Sequence, residues 1–502
     1  MECSKLSVLV LACCFTIAES YVKADKPGAV VHFSKKGLDY LSSIAGQTMN
    51  EQIEKLGRFK DFTLKQRLDF GEAKLEASNI RITQFETPDY AYENIPPDRF
   101  RWSADGGFFF VRGDWSGTLR TFFMKPQKAS GDFMAETRGQ PKLELSARFV
   151  KTSDGKIKAT DIDCDFQTGR IVFNFEGGGF VGRLLDFFRD PIVKVIRPHI
   201  ENVICQQARG FIEKRINQYS HRVSFYNKLG PLKMDFSLVR DLQMRESAIE
   251  SWHKAEVTHE AFPLAKTPFQ PDPMESPDYK NTSKMIHVLV SEYFFNSMLY
   301  QAHKFNVTIF ESNANMSEAA SRLSLNCHHF EVCLGHIFPE LAEMYPDAEG
   351  ELRAFPTSPP TMRFSAGKAV ARAPGKFLIY AVSAEIEKTP IFEVTGSLEA
   401  ILTFEVINVQ SEIPRIVPIT VNSTVIVDTV TSDAIDLESS SLTENTQLFV
   451  DLVTPVLKKL VNERIADGIA IPIAYNSRLK DVDIYIKNRT LILSTDVEYL
   501  GF

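Results

Sequence analysis

Cys327-His328-His329, with Cys333 and His336 close behind, is the one cluster in this sequence whose residue types and spacing suit a metal ion. Thiolates and neutral imidazoles at such spacing can hold zinc. The same two cysteines can instead close a short disulfide loop, and in an oxidising compartment that removes both thiolates. The disulfide is therefore the expected state, with no metal. Gly177, Gly179 and Gly182, after the strand-like run Arg170 to Glu176, satisfy a dinucleotide fingerprint. It is rejected, because the chain beyond the glycines reads as helix to about Asn217, with no second parallel strand and no ribose-binding acid. Arg112-Gly113-Asp114 could act in adhesion, but a glycine-containing turn or bulge is the expected role. No Gly-x-Ser-x-Gly, His-Glu-x-x-His or phosphate loop occurs, and no histidine pairs recognisably with a nucleophile. Covalent chemistry is not expected, and neither is a cofactor.

The cysteines are read by compartment. Lys5, the apolar run Leu6 to Ile17, and the small residues Ala18 and Ser20 have the form of a signal peptide covering 1–20. The run is too short to span a bilayer, so a secreted, extracellular protein is expected. Cys164, Cys205, Cys327 and Cys333 then remain, and four cysteines allow three pairings. One bridge per half, Cys164–Cys205 and Cys327–Cys333, is the favoured arrangement. Sequons at Asn281, Asn306, Asn315, Asn422 and Asn488 fit secretion, and all lie in the second half.

The chain of 502 residues is long enough for at least two cores, and 44% hydrophobic content with 38 phenylalanines can fill them. The formal charge of −7 argues against nucleic acid as a partner. Its distribution is uneven: residues 27–250 hold 34 Lys and Arg against 29 Asp and Glu, whereas 251–502 hold 20 against 32. A basic half suits an anionic surface.

Prolines at 263, 268, 271, 273 and 277 exclude both helix and central strand near the middle of the chain. A semi-rigid extended tie is expected there. The halves on either side share one plan. A strand at Val30–Phe33 leads into a helix from Ser34 to about Leu56, with Leu41, Ile44, Ala45, Met49 and Ile53 on one face. Alternating segments to Phe175 predict antiparallel hairpins, with Gly107–Val111 and Asp114–Met124 as separate strands. A second helix from Asp190, kinked at Pro198, carries Ile192, Val195, Ile196, Ile200, Val203 and Ile204. The second half repeats the order, with a strand at Met285–Val290, helices at Glu292–Lys304 and Leu448–Ile465, and strands between and after them. The expected boundaries are 21–250 for the first domain, 251–283 for the linker and central-sheet region, and 284–502 for the second domain.

Further stretches occur in a telling succession: Pro27-Gly28, Lys35-Lys-Gly-Leu-Asp-Tyr40, Cys164 and Cys205 around a strand–helix unit, and the central prolines. Ser291 to Ser297, Phe338-Pro-Glu-Leu341, Ser358-Pro-Pro360 and the ending Asp496 to Leu500 complete it. In this order they resemble the family of bactericidal/permeability-increasing protein, lipopolysaccharide-binding protein, and the phospholipid and cholesteryl-ester transfer proteins. The resemblance implies an α+β fold, an elongated boomerang of two pseudo-symmetric domains. Each would be a long curled antiparallel sheet wrapped with two helices, joined by a central sheet and the linker.

The family disulfide falls on Cys164 and Cys205. Periodicity alone reads the helix stripes as core packing; the resemblance makes them pocket walls for phospholipid tails. The wall candidates are Leu41, Ile44, Ala45 and Met49; Ile196, Ile200 and Val203; Phe294 and Met298; and Val453 and Leu457. A basic tip would draw on Lys55, Arg58, Lys60, Lys65, Arg67, Lys125 and Lys128, interrupted by Asp61, Asp69, Glu72 and Glu76. The implied function is lipid binding and transfer, with phospholipids or other amphipathic lipids as ligands and a membrane or lipoprotein surface as the partner. The alternative is an antibacterial protein of innate immunity that binds lipopolysaccharide.

Overall fold

The computed structural model describes residues 26–54, 58–86, 89–177, 188–222, 232–262, 266–274, 283–312, 316, 321–327, 332–346, 348–385, 387–409, 414–432, 439–471 and 476–500. The signal segment, Lys55, Leu56, Asn281, Asn315 and His328-His329 lie outside them.

A six-stranded antiparallel sheet joins the two halves. Its order is Gln243–Arg245, Ala248–His253, Ala29–Ser34, Ile286–Ser291, Thr490–Tyr499, Ser477–Lys487. It reads alike from either edge, each half giving a hairpin and one leading strand. The two leading strands pair at the centre, from Ala29↔Val290 to Phe33↔Ile286. Each runs directly into a helix, α1 (Lys35–Glu54) in the first half. From Val30 and from Ile286 onward the leading strands alternate buried and half-buried residues, as a sheet more deeply covered on one face requires.

The first domain adds two antiparallel sheets. One has the order Arg170–Phe175, Gln127–Arg138, Phe108–Thr121, Gly71–Glu86, Phe62–Leu68. The other runs Asp89–Ile95, Arg99–Asp105, Lys142–Lys151, Ile157–Gln167. Their inner faces enclose one core with α1 and α2 (Arg189–Arg222), containing Phe85, Phe109, Trp115, Leu143 and Ile204. Phe108–Thr121 is a single strand where two were expected. Arg112-Gly113-Asp114 therefore sits mid-strand, opposite a register shift in Gly71–Glu86 between Ser78 and Arg81. That shift is a bulge with Asn79 at φ 53°, and Asn79 Nδ2 donates to Asp114. The tripeptide is part of the curl of the sheet. The strand ending at Phe175 pairs antiparallel with Gln127–Arg138, unlike the parallel strand of a dinucleotide unit, and Gly179 and Gly182 lie outside the described residues.

α3 (Glu292–Lys304) continues from the second leading strand. Beyond it, Phe310–Glu311, Glu349–Pro356, Lys368–Val382, Thr389–Ile407, Arg415–Thr431 and Ile469–Ala470 form a curled sheet, with Thr361–Ser365 paired to Lys368–Val382. Two short helices, α4 (Leu334–Ile337) and α5 (Pro339–Met344), and the long α6 (Ser439–Ile465) pack against it. The protein is thus α+β, two related domains of curled antiparallel sheet and helix around a shared central sheet. Cys164 bonds Cys205, stapling α2 to Ile157–Gln167, and Cys327 bonds Cys333 in a local loop.

Candidate functional site

The helix stripes are divided by what they pack against. α1 buries Leu38, Ser42, Gly46, Met49 and Ile53, and leaves Leu41 49% exposed, with Ile44 and Ala45 half-buried. The sheet contour sets this choice. Trp102 Nε1 donates to Ser42 Oγ at 2.9 Å, and Asn50 donates to the Tyr90 hydroxyl at 2.8 Å. A Cβ on residue 46 would lie 2.2 Å from the Tyr90 ring, so glycine is what lets the helix approach. Beside Tyr90 and Trp102 the residues facing the sheet are the small Ser42 and Gly46, and Leu41 turns outward.

On α2, Ile192, Ile196, Ile200 and Ile204 are buried, Val203 is half-buried and Val195 is exposed. Beneath Ile192, an apolar seam lined by Phe62, Leu75, Trp115, Phe133, Phe173 and Phe175 closes without space for a water molecule. In the second half the wall candidates part company. Phe294 and Met298 belong to a core beside the central sheet with Phe295, Phe364 and Phe404, whereas Val453 and Leu457 pack into the core of the outer sheet.

The basic candidates also separate. Arg58 and Lys60 stand at the near end of Phe62–Leu68, where Arg58 donates to Asn79 Oδ1 at 2.7 Å. Six further residues of strand, about 20 Å, carry the chain to the far end. Midway along that strand the register aligns Lys65, Lys74, Thr118 and Lys128 across four strands, and nearer the far end Arg67, Glu72 and Arg120 form the neighbouring row. Leu75 and Leu119 on the same strands are buried, so these polar rows stand on the outer face. Lys125 lies in the adjoining hairpin turn and is exposed.

That turn carries a feature missed at the level of sequence. Phe122 is 75% exposed, Phe123 88% and Met124 56%, and Phe70 in the neighbouring turn is 43% exposed. Phe122 N–H donates to Phe70 O at 3.3 Å, which ties the two turns together. Large apolar side chains clustered in the open mark an interaction surface. The signal was present: Phe122-Phe-Met124 breaks the strict alternation of the strand before it and runs into Lys125-Pro126. Reading the strand through to Met124 hid it. Lys74 and Arg120 were missed for want of register.

Among the described residues, no group of three or more His, Cys, Asp and Glu is placed to hold a metal ion. No helix among them is long and apolar enough to cross a membrane.

Known proteins share this architecture. Lipopolysaccharide-binding protein of Bos taurus is 22% identical, covering 99% of this chain and 98% of its own. The Homo sapiens protein of that name is 22% identical over 94% of each. Bactericidal permeability-increasing protein of Rattus norvegicus is 21% identical over 67% of this chain, with 342 residues aligned. The crystal structure of lipopolysaccharide binding protein superposes with a TM-score of 0.60 at 19% identity, covering 95% of this chain and 100% of that chain, a likeness of fold. The sequence patterns of the LBP / BPI / CETP family match in order, the N-terminal domain at 37–215 and the C-terminal domain at 230–499. With both domain patterns matched along most of its length, the chain belongs to the LBP / BPI / CETP family.

Proposed function

We propose that this protein is a secreted lipid-binding protein that docks on lipid surfaces through the tip of its first domain. The observation that carries this reading is the Phe70, Phe122, Phe123 and Met124 cluster beside the Lys65, Lys74 and Lys128 row. Aromatic rings are stabilised among headgroups and upper acyl chains, by about 1.5–3 kcal/mol for a side chain wholly removed from water. Each lysine near an anionic leaflet contributes about 1 kcal/mol more. The two effects act on the same amphiphile, phosphates outside and tails beneath.

Carriage of a lipid then depends on the interior. An acyl chain gains about 0.8 kcal/mol for each methylene that leaves water, so an apolar groove can stand in for the bilayer. The seam under Ile192 has the right lining, and it takes up a tail when α1 and α2 separate from the sheet. No bond chemistry is needed.

A second reading, recognition of lipopolysaccharide, is favoured by the names of the relatives. Its phosphates and acyl chains suit the same tip. Organic extraction of the secreted protein with mass spectrometry of the co-purified lipids, together with flotation on vesicles, tests both. Phospholipid in the extract and binding to phosphatidylglycerol vesicles support the carrier; selective capture of lipid A supports the second reading. Protein that carries no lipid and floats with neither kind of vesicle refutes both.

A further inference from the structure

A cavity of about 400 Å³ lies between the proline-rich strap, the central sheet and the first turns of α3, away from the tip. Its floor is Leu289 and Ile492, both buried, and Met274 of the strap covers it. Phe269 and Tyr293 form an aromatic wall, their rings edge to face at 5.8 Å. The mouth is framed by the turn between Ser477–Lys487 and Thr490–Tyr499. Arg489 in that turn has φ 62° and reaches Asp272 of the strap at 3.2 Å and Glu292 of α3 at 3.6 Å.

The lining suits one chemical class. Aromatic faces beside carboxylate, amide and guanidinium groups receive a sugar ring, whose C–H face is apolar and whose edge carries hydroxyls. The polar groups of the mouth already have partners: Asn296 exchanges hydrogen bonds with Met362, and Glu292 accepts the Phe364 N–H at 3.0 Å. A neutral, adaptable ligand fits this better than an ion. Asn488, exposed and itself part of the lining, opens the sequon Asn488-Arg489-Thr490. The other described sequons are placed differently. Asn306 closes α3 with φ 58°, and Asn422 lies within Arg415–Thr431 with its Oδ1 accepting the Ser423 N–H. Neither borders this cavity.

We infer that the cavity receives the inner sugars of an N-linked glycan on Asn488, which closes the proline-rich strap onto the central sheet. The linkage forms when Asn488 Nδ2 bonds the anomeric carbon of N-acetylglucosamine from a lipid-diphosphate-linked oligosaccharide. Nδ2 gives up one proton, and the lipid diphosphate leaves with the electron pair of the broken C–O bond. The bound sugar then covers Phe269 and adds contacts to Met274 and Asp272, so the strap is held from both sides.

The test uses full-length protein secreted from animal cells. Glycopeptide mass spectrometry should find Asn488 occupied. Native endoglycosidase should release its sugar about tenfold more slowly from wild type than from Phe269→Ala, which keeps the sequon but removes the wall. Tenfold corresponds to ~1.4 kcal/mol of opening free energy. Asn488→Gln should lower Tm in secreted protein and leave it unchanged in protein made without glycosylation, which separates the sugar from the turn. An unoccupied Asn488, or equal release from wild type and Phe269→Ala, overturns the inference.

Discussion

His32 and His287 are register partners at the centre of the sheet that joins the two domains, their ring centroids 5.8 Å apart. Glu250 stands on the far side of His32, with Oε1 3.4 Å from Nδ1, and Ser494 lies 2.7 Å from His287 Nδ1. All four are buried. The row crosses four strands, two from each half, and three of its four side chains, Glu250, His32 and His287, are titratable.

Burial pushes the His287 pKa down to about 4, the neighbouring His32 adds to this, and Asp496 opposes it. His253 is pushed down as well, by burial, against a hydrogen bond to the Phe236 carbonyl. A depressed folded pKa means that the unfolded chain takes the proton first as pH falls. This part of the stability is therefore whole above about pH 6.5 and drains away toward pH 4. Thermal unfolding should show Tm falling across that window, and His287→Gln should flatten the fall. Parallel profiles for the two proteins would remove His287 as the cause.

Phe122→Ser with Phe123→Ser should cost roughly tenfold per ring in vesicle partitioning. Both side chains are exposed in the free protein, so Tm should stay where it is. Flotation and calorimetry on the same preparations give both readings. Unchanged partitioning would remove the tip from the docking surface.

Neutralising Lys65, Lys74 and Lys128 to Gln should weaken binding to phosphatidylglycerol vesicles by roughly fivefold each, from about 1 kcal/mol per cation. Binding to phosphatidylcholine vesicles should change little, and the salt dependence on anionic vesicles should become shallower. Neutralising Arg58 and Lys60, at the other end of their strand, should do much less.

The two disulfides should differ in weight. Cys164 and Cys205 are 41 residues apart and Cys327 and Cys333 only 6. Chain-entropy reasoning puts the longer loop at about 4 kcal/mol and the shorter at about 2 kcal/mol. Denaturant titration of Cys164→Ala/Cys205→Ala against Cys327→Ala/Cys333→Ala should rank them in that order. The reverse ranking would show that local strain outweighs loop entropy.

Much of the fold was legible in one dimension. Alternation along Lys142–Lys151 and helical spacing along Glu292–Lys304 predicted elements that the structure forms with the same bounds, because those patterns are local consequences of side-chain direction. The cysteines were likewise paired one bridge to each half. What a helix turns toward its sheet is a different matter. Periodicity drew a stripe through Leu41 and Ile44, but the rings of Tyr90 and Trp102 admit only Ser42 and Gly46, and that contour belongs to strands dozens of residues away. Register is the other quantity that a linear reading lacks. It is set by turns and bulges in concert, and it alone brings Lys65, Lys74 and Lys128 into one row and sets His32 against His287. Composition and spacing determined the elements and their order; the tertiary structure decided which side chains meet, since meeting depends on surfaces that exist only once distant strands have paired.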